Sequence, residues 1–180
     1  MECIIGVLGG MGTYATIHFF QQYAEVFPAE KEWDRPRIII DNRCTMPSRV
    51  KAYIYKENID LLIKEMSESI RGLINLGCTD IILDCNTSHL FLSRIYEKVP
   101  ELQRRIIHII DKCVQKIIDD KVKKVYILGT EGTIESNVYQ NTLGNQITSL
   151  TPSKDEYHKV RECIEAVKQN HYTEKTKKYF

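Results

Sequence analysis

The sequence predicts an α/β protein built from two Rossmann-like βα halves with parallel sheets. Short apolar runs alternate with longer stretches of helical periodicity along the whole chain, which is the pattern of strands joined by crossover helices. A glycine-rich junction joins a predicted strand to a predicted helix twice, at residues 7–13 and 127–133, and both junctions read apolar-Leu-Gly-x-x-Gly-Thr. This repetition indicates a pseudo-repeat of two related halves that face each other.

Composition and charge argue against several classes of function. The 180 residues are 43% hydrophobic and 27% charged, with a formal net charge of +1, so neither a nucleic acid nor a membrane is expected as a partner. No run approaches the roughly 18 apolar residues of a membrane span, and the glycine-interrupted N-terminus is not typical of a signal peptide. The six cysteines show no C-x-x-C pair, so we expect reduced thiols, a cytoplasmic location and no metal site.

The first half opens with a strand that turns through a glycine-rich junction into a helix. Glycines there let the backbone approach an anion, but the spacing G-G-x-G is not that of a dinucleotide site, so no nucleotide cofactor is predicted. In the later polar loop 42–49, Arg43 and Arg49 are candidate carboxylate clamps or, equally well by spacing, solvated surface residues. The predicted elements are a strand over 3–8, a helix over 14–27, a strand over 37–41 and a long helix over 53–76 that ends at Gly77.

The third strand ends near Cys85, which is the most informative residue of the sequence. Ligands bind at the carboxyl edge of parallel sheets, where Asn86, Thr87 and Ser88 can cap the helix predicted over 88–99 and leave N–H groups for a ligand. The alternative is a buried cysteine beside an ordinary helix cap. His89, in the first turn of that helix, is either a site residue or a partly exposed packing residue.

The second half repeats the alternation of strands and helices. Its predicted elements are a strand over 106–110, a helix over 112–120, a strand over 124–128, a helix over 134–143, a strand over 146–150 and a helix over 155–169. A boundary near residues 100–105 divides the chain into domains 1–102 and 103–180, with a ligand cleft between them. The counterpart of the Cys85 strand would lie beyond the last residue, so the second half is expected to be truncated.

Several segments together resemble one family. They are Ile5–Gly12 with Ala15 and Thr16, Met46–Arg49, Cys85–His89, and Leu128–Ile134 with Tyr139. These segments occur in order along essentially the whole chain and look like those of the aspartate/glutamate racemases.

The resemblance implies a racemase without a cofactor and without a metal, in which Cys85 is the acid and base that exchanges the α-proton of a small carboxylate-bearing amino acid. The junction N–H groups and the hydroxyls of Thr130 and Thr133 would hold the α-carboxylate, and Arg49 would hold a side-chain carboxylate. A homodimer is also implied. The full set of predicted substrate-binding residues is Met11, Gly12, Thr13, Asn42, Arg49, Asn86, Thr87, Ser88, Thr130, Gly132 and Thr133.

The sequence departs from the family pattern in two places. Thr13 stands where the family usually has proline, and the second cysteine motif, Gly-Cys-Thr-Glu, is absent. Cys78 lies in a similar segment that precedes the Cys85 strand, and Cys163 is predicted to pack within a helix. Three functions therefore remain open: a racemase, a one-thiol lyase or isomerase of the same fold, and an inactive relative that binds a small carboxylate.

Overall fold

The architecture is that of parallel sheets with flanking helices, seen in a computed structural model that describes residues 3–178. Residues 1–2 of the predicted domain 1–102 and residues 179–180 of the predicted domain 103–180 lie outside the described residues. The strands are β1 (Ile4–Gly9), β2 (Arg37–Asn42), β3 (Asp80–Leu83), β4 (Ile106–Ile107), β5 (Lys124–Tyr126) and β6 (Thr148–Leu150). Every strand pair is parallel, as the alternation of strands and helices predicts.

The helices lie between these strands or follow the last of them. They are α1 (Thr13–Val26), α2 (Arg49–Ile54), α3 (Ile59–Asn75), α4 (Leu92–Lys98), α5 (Ile109–Asp119), α6 (Glu131–Glu135), α7 (Val138–Leu143), α8 (Tyr157–Gln169) and α9 (Glu174–Lys177). Among the described residues, no helix combines the length and the apolar character needed to cross a bilayer.

The first sheet has the order β2-β1-β3-β4, so β1 lies between two parallel neighbours. Its residues Val7 and Leu8 are fully buried, and Leu8 is in register with Asp41 on one side and Leu83 on the other. The chain leaves β1 through Gly10, whose φ of +77° favours glycine, and a Cβ there would lie 2.6 Å from backbone atoms of Arg43. The tight junction brings the start of α1 against the loop after β2.

The long helix predicted over 53–76 is two helices. Ser48 caps α2 by accepting a hydrogen bond from the Lys51 N–H, and the chain then turns through Lys56 and Asn58, whose φ values are +60° and +53°. Two left-handed residues cannot continue an α-helix, so α3 begins only at Ile59. The apolar periodicity of α3 places one face in the core, as predicted.

The prediction of a single strand over residues 106–110 is wrong. Only Ile106 and Ile107 pair with β3, and the helix α5 begins at Ile109 so that Ile110 and Val114 can pack in a second core. Because β4 joins the first sheet, residues 106–107 belong to that sheet although they follow the predicted boundary at 102. The division into domains 1–102 and 103–180 stays a prediction.

The second sheet is smaller, and its strands β5 and β6 are paired in parallel. The helix predicted over 134–143 is interrupted at Asn137, whose φ is +52°, so that α6 and α7 are separate. Two clusters of buried side chains form. One, on the first sheet, includes Leu62, Met66, Ile70, Ile81 and Ile95. The other consists of Ile110, Val114, Ile127, Leu143 and Ile147.

The two halves differ in how their central strands are paired. β1 has β2 on one side and β3 on the other, whereas within residues 3–178 β5 pairs only with β6. The glycine-rich junction after each central strand is followed by a helix, α1 in the first half and α6 in the second. The junctions thus occupy equivalent places in the chain order.

Candidate active site

A cavity of about 810 Å³ lies between the carboxyl edge of the first sheet and the second half of the chain. Ligand-binding cavities of proteins span about 300 to 1,000 Å³, so it is large enough for a small metabolite. Its wall is mostly apolar. The residues that line it come from the start of α1, the segment after β3, β5 with its junction, α5, α7 and α8.

Cys85 lies on the wall of this cavity as a partly exposed free thiol. It follows β3 by two residues, has extended backbone angles and precedes a 3₁₀ helix over Asn86–Phe91. The backbone N–H of Asp84 donates to the Leu8 carbonyl at 3.0 Å, so the strand-like path persists to the residue before the thiol. The predicted place of Cys85, at the carboxyl edge of the sheet, is the place where it lies.

Three threonine hydroxyls join the two halves beside the thiol. Thr87 Oγ1 lies 2.9 Å from Thr130 Oγ1 and 3.2 Å from Thr133 Oγ1, and the latter two are 3.2 Å apart. Thr130 also caps α6 by accepting from the Thr133 N–H. All three line the cavity, which makes them a compact group of hydroxyl donors for an anionic ligand.

Asn86 contacts the second half through a tyrosine that we did not include in the predicted site. The Tyr139 hydroxyl donates to Asn86 Oδ1 at 2.5 Å, and both residues line the cavity. Burial, together with the neighbouring Cys113 thiol, raises the pKa of Tyr139 to about 12. The phenol is therefore neutral at physiological pH and remains a hydrogen-bond donor.

Ser88 and His89 face inward. Ser88 is fully buried and its hydroxyl donates to Met11 Sδ at 2.7 Å. His89 is only 5% exposed and does not line the cavity, so it is a buried residue and the expected partial exposure is wrong. The ring lies 2.9 Å from the Cys85 carbonyl and accepts the Ile109 N–H at 3.4 Å.

The predicted cap of the helix after Cys85 is wrong. No side chain caps the 3₁₀ helix, because the side chains of Asn86, Thr87 and Ser88 make the contacts with Tyr139, Thr130, Thr133 and Met11 described above. Three residues that resemble local capping residues in the sequence instead bind distant parts of the chain.

Neither predicted arginine clamp lines the cavity. Arg43 pairs with Glu65 at 2.6 Å and Glu68 at 3.1 Å on α3. Arg49 donates to the carbonyls of Met46, Pro47 and Met11, at 3.4, 2.9 and 3.0 Å, and so ties its loop to the β1–α1 junction. Both guanidinium groups have structural partners.

The other predicted residues divide into two groups. Met11 and Gly12 line the cavity together with the residues already described, whereas Thr13, Asn42, Arg49, Ser88 and Gly132 do not. Asn42 Nδ2 donates to Thr13 Oγ1 at 3.3 Å, and a Cβ at Gly132 would lie 3.2 Å from Thr87 Cγ2. These residues support the residues of the cavity wall.

Several wall residues were missing from the sequence prediction. Cys163, predicted to pack within its helix, lines the cavity on α8, and Cys113 lines it on α5. The helical spacing of Val160, Cys163, Ile164 and Val167 marks one face of α8 and was the available signal. Asp84 also lines the cavity. Burial raises the pKa of its carboxyl group, an effect opposed by Thr16 and His18.

Across the part of the chain that the structure describes, no three or more His, Cys, Asp or Glu side chains lie close enough together to hold a metal ion.

Comparison with known proteins identifies close similarity over almost the whole chain. The family model for Asp/Glu/Hydantoin racemase matches residues 8–179. The broad specificity amino-acid racemase RacX of Bacillus subtilis (strain 168) is 28% identical over 178 residues, which cover 96% of this chain and 74% of the relative.

Solved structures give the same result. An aspartate racemase of Picrophilus torridus superimposes with a TM-score of 0.83 at 27% identity, over 99% of this chain and 71% of that one. An aspartate racemase homologue from Pyrococcus horikoshii OT3 has a TM-score of 0.71 at 22% identity, over 95% of this chain and 74% of that one, and supports the fold alone.

Proposed function

Because the chain belongs to the Asp/Glu/hydantoin racemase family, we propose that it is a cofactor-independent amino-acid racemase in which Cys85 exchanges the substrate's α-proton. The observation that carries this proposal is the position of the Cys85 thiol on a cavity wall shared with three threonine hydroxyls. A thiolate base must lie beside an α-carbon whose proton has been made more acidic. Hydroxyl groups that donate to the α-carboxylate orient that carbon toward the thiolate.

The proposed chemistry is a proton transfer on each face of the α-carbon. The Cys85 thiolate takes the α-proton and becomes a thiol, while the electron pair of the C–H bond stays on the α-carbon. A proton delivered to the opposite face gives the other enantiomer, and proton exchange with water restores the starting state. Donors in place before the reaction stabilise the negative charge that develops.

The proposed binding residues are the hydroxyls of Thr87, Thr130 and Thr133 for the α-carboxylate, with Asn86 and the Tyr139 phenol beside them. Met11 and Gly12 line the same cavity immediately before α1. Arg49 is left out of the proposed site because its guanidinium group already donates to three backbone carbonyls. We propose a small carboxylate-bearing amino acid as the substrate, held through its α-carboxylate.

The second proton donor is proposed to come from the wall formed by α5 and α8. Cys113 and Cys163 supply thiols to that wall, and a thiol can act reversibly as acid and as base near neutral pH. The Cys113 side also carries Tyr139, whose hydroxyl reaches Asn86.

The experiment follows deuterium incorporation at the α-carbon of L- and D-amino acids in deuterated water, together with chiral analysis of the products. The racemase proposal predicts that deuterium exchange is coupled to inversion of configuration. Cys85→Ser should reduce the rates of exchange and of inversion by at least a thousandfold. Cys113→Ser and Cys163→Ser are the matched variants, and the one that blocks inversion identifies the second donor. Cys44→Ser, at an exposed thiol outside the cavity wall, is the control.

Other outcomes correspond to the other functions. Exchange with retention in the parent protein would indicate a one-thiol enzyme of the same fold. Saturable binding without exchange, across acidic and neutral amino acids, would indicate an inactive carboxylate-binding relative. Activity that survives Cys85→Ser contradicts the assignment of the base.

We also propose that the chain acts in the cytoplasm, which keeps its thiols reduced, and that it forms a homodimer. Tyr14, Ile17 and Phe20 lie three residues apart on α1 and are 41%, 48% and 48% exposed, which is an unusual apolar stripe for a solvated face. Sedimentation equilibrium of the parent protein and of Phe20→Glu tests the dimer. A parent protein that remains a monomer at all concentrations contradicts it.

A further inference from the structure

His89 connects the two walls of the cavity through both nitrogens of its ring. Nδ1 lies 2.9 Å from the carbonyl oxygen of Cys85, four residues earlier. Nε2 lies 3.4 Å from the backbone nitrogen of Ile109, the first residue of α5. The ring thus touches the backbone of the residue that carries one thiol and the start of the helix that carries Cys113.

These two contacts favour one tautomer of the ring. The Ile109 N–H is a donor, so Nε2 accepts and carries no proton, and the single proton of a neutral imidazole then lies on Nδ1. From there it is donated to the Cys85 carbonyl. Burial is the main reason that the pKa of His89 falls to about 4, so the ring is neutral at pH 7.

The hydrogen bond to the Cys85 carbonyl fixes the orientation of the peptide between Cys85 and Asn86. In a trans peptide the C=O and N–H bonds point in opposite directions. A carbonyl held toward the buried ring therefore directs the Asn86 N–H the opposite way. The Ser88 N–H donates to the same carbonyl at 3.3 Å, so two donors share the task.

Simple packing does not require a histidine at this place. The ring is 5% exposed and contacts the edge of the His108 ring at 4.6 Å between centroids. An apolar side chain would fill this space without the cost of burying two ring nitrogens. An apolar side chain cannot reproduce the two hydrogen bonds of the ring nitrogens, one to each wall of the cavity.

We propose that His89, as its neutral Nδ1–H tautomer, is a positioning residue that fixes the Cys85 thiol relative to the α5 wall of the cavity. Its effect on turnover rests on the proposed racemase function, whereas its effect on the thiol does not. His89 does not touch the reacting atoms. It acts through the backbone of Cys85 on one side and through the start of α5 on the other.

The first test uses the parent protein and needs no activity. Two-bond ¹H–¹⁵N correlation spectra of ¹⁵N-histidine-labelled protein at pH 7 should show His89 with Nδ1 protonated and Nε2 unprotonated, assigned by its loss in His89→Asn. An Nε2–H tautomer or an imidazolium overturns the proposal. The tautomer is read from the parent protein, and the variant serves only to assign the signal.

The second test compares variants that keep different parts of the ring. His89→Asn retains a donor close to the Nδ1 position, His89→Gln retains an acceptor close to Nε2, and His89→Leu retains neither. The rate at which iodoacetamide modifies Cys85 at pH 7, followed by peptide mass spectrometry, reports how the thiolate is held. Exposed Cys3 and Cys44 are internal references.

We expect His89→Leu and His89→Gln to change the Cys85 rate roughly tenfold, the size of one hydrogen bond, while His89→Asn stays within about threefold of the parent. Turnover should fall about tenfold or more in kcat for His89→Leu with little change in KM, and His89→Asn should recover most of it. Ile95→Ala, a buried truncation on α4, is the control that lowers stability without changing the Cys85 rate.

The outcomes separate this proposal from the proposed function. If the parent protein exchanges no α-proton, the racemase proposal fails, and the tautomer and the alkylation rates still decide the role of His89. If the parent is active and folded His89→Leu matches it in both the Cys85 rate and kcat, His89 is only a packing residue and the proposal is overturned.

Discussion

The two halves of the chain have the same order of strand, glycine junction and helix, but different means of staying folded. The first half has a sheet with the order β2-β1-β3-β4 and a large core in which Leu62, Met66 and Ile70 of α3 are fully buried. The second half has β5 and β6 and a small core around Ile110 and Val114. Since stability scales with buried apolar surface, the first half is the scaffold and the second depends on it.

Part of the contact between the halves runs through the segment 85–89, beside the contacts of α1 with α8 and of α2 with α6. Asn86, Thr87 and His89 contact α7, the junction before α6 and the start of α5, in that order. Four predictions test how far these contacts compensate for the smaller second core.

The largest expected effect comes from matched truncations in the two cores. Ile70→Ala and Ile110→Ala each remove a fully buried side chain and should each cost about 2 to 5 kcal/mol in the free energy of unfolding. Hydrogen exchange should show that Ile110→Ala exposes β5, β6 and α5 while β1 stays protected, whereas Ile70→Ala weakens both halves. Equal deprotection of both halves in Ile110→Ala contradicts the comparison.

The second effect is a loss of stability in acid caused by His89. Its pKa is lowered from 6.5 to about 4 in the folded protein, so between these values the unfolded chain binds a proton that the folded chain does not. The free energy of unfolding therefore falls as the pH falls from 6.5 to 4, by up to about 3 kcal/mol. Urea titrations across this range measure it.

His89→Asn provides the comparison for the acid effect, because it cannot titrate. Its stability should decrease less between pH 6.5 and 4 than that of the parent, and the difference between the two curves belongs to His89. Parallel curves would mean that the ring is already charged in the folded protein.

A smaller effect is expected at the threonine contact between the halves. Thr87→Val keeps the shape of a 3% exposed side chain and removes the hydroxyl that lies against Thr130 and Thr133, which should cost about 1 kcal/mol. Thr142→Val is the control because that hydroxyl is exposed and bonds only within α7. Thermal unfolding of both variants measures the difference. Equal changes in the unfolding midpoint would mean that the threonine contact does not stabilise the association of the two halves.

The smallest effect concerns the ion pair between α8 and α6. Arg161 Nε lies 2.7 Å from Glu131 Oε1, but the Arg161 side chain is 62% exposed, so solvent screens the pair. Arg161→Gln should cost about 0.5 kcal/mol. Lys116→Gln, which removes a pair within α5, is the control. A cost above about 2 kcal/mol would mean that this pair within the second half contributes more to its stability than the comparison allows.

Local chemistry explains which parts of the fold were predictable. The apolar runs of β1, β2 and β3 and the periodicity of α3 are properties of neighbouring residues, and they led to correct elements. The break between α2 and α3 was missed because Lys56 and Asn58 take left-handed angles that neither residue requires. The run 106–110 was misjudged because isoleucine suits a strand and a buried helical face equally well.

The residues within the sequence motifs of the candidate site were predictable, whereas the residues that reach the site from other parts of the chain were not. Cys85 and the threonines follow strands or junctions, so the sheet edge brings them together. The partners of Arg49 are carbonyls, and a carbonyl has no signature in the sequence. Tyr139 and Cys163 reach the cavity only through the packing of α7 and α8, which depends on distant residues.

The inward and outward contacts of the segment 85–89 have a consequence for mutational tolerance. The side chains that surround the thiol are also among those that attach the second half of the chain to the first. A saturation library scored for cellular abundance should therefore show that Thr87 and His89 tolerate few substitutions, and a library scored for turnover should show the same. Cys85 should tolerate substitutions in the abundance screen but not in the turnover screen. Comparing the two screens separates the residue that reacts from the residues that hold it.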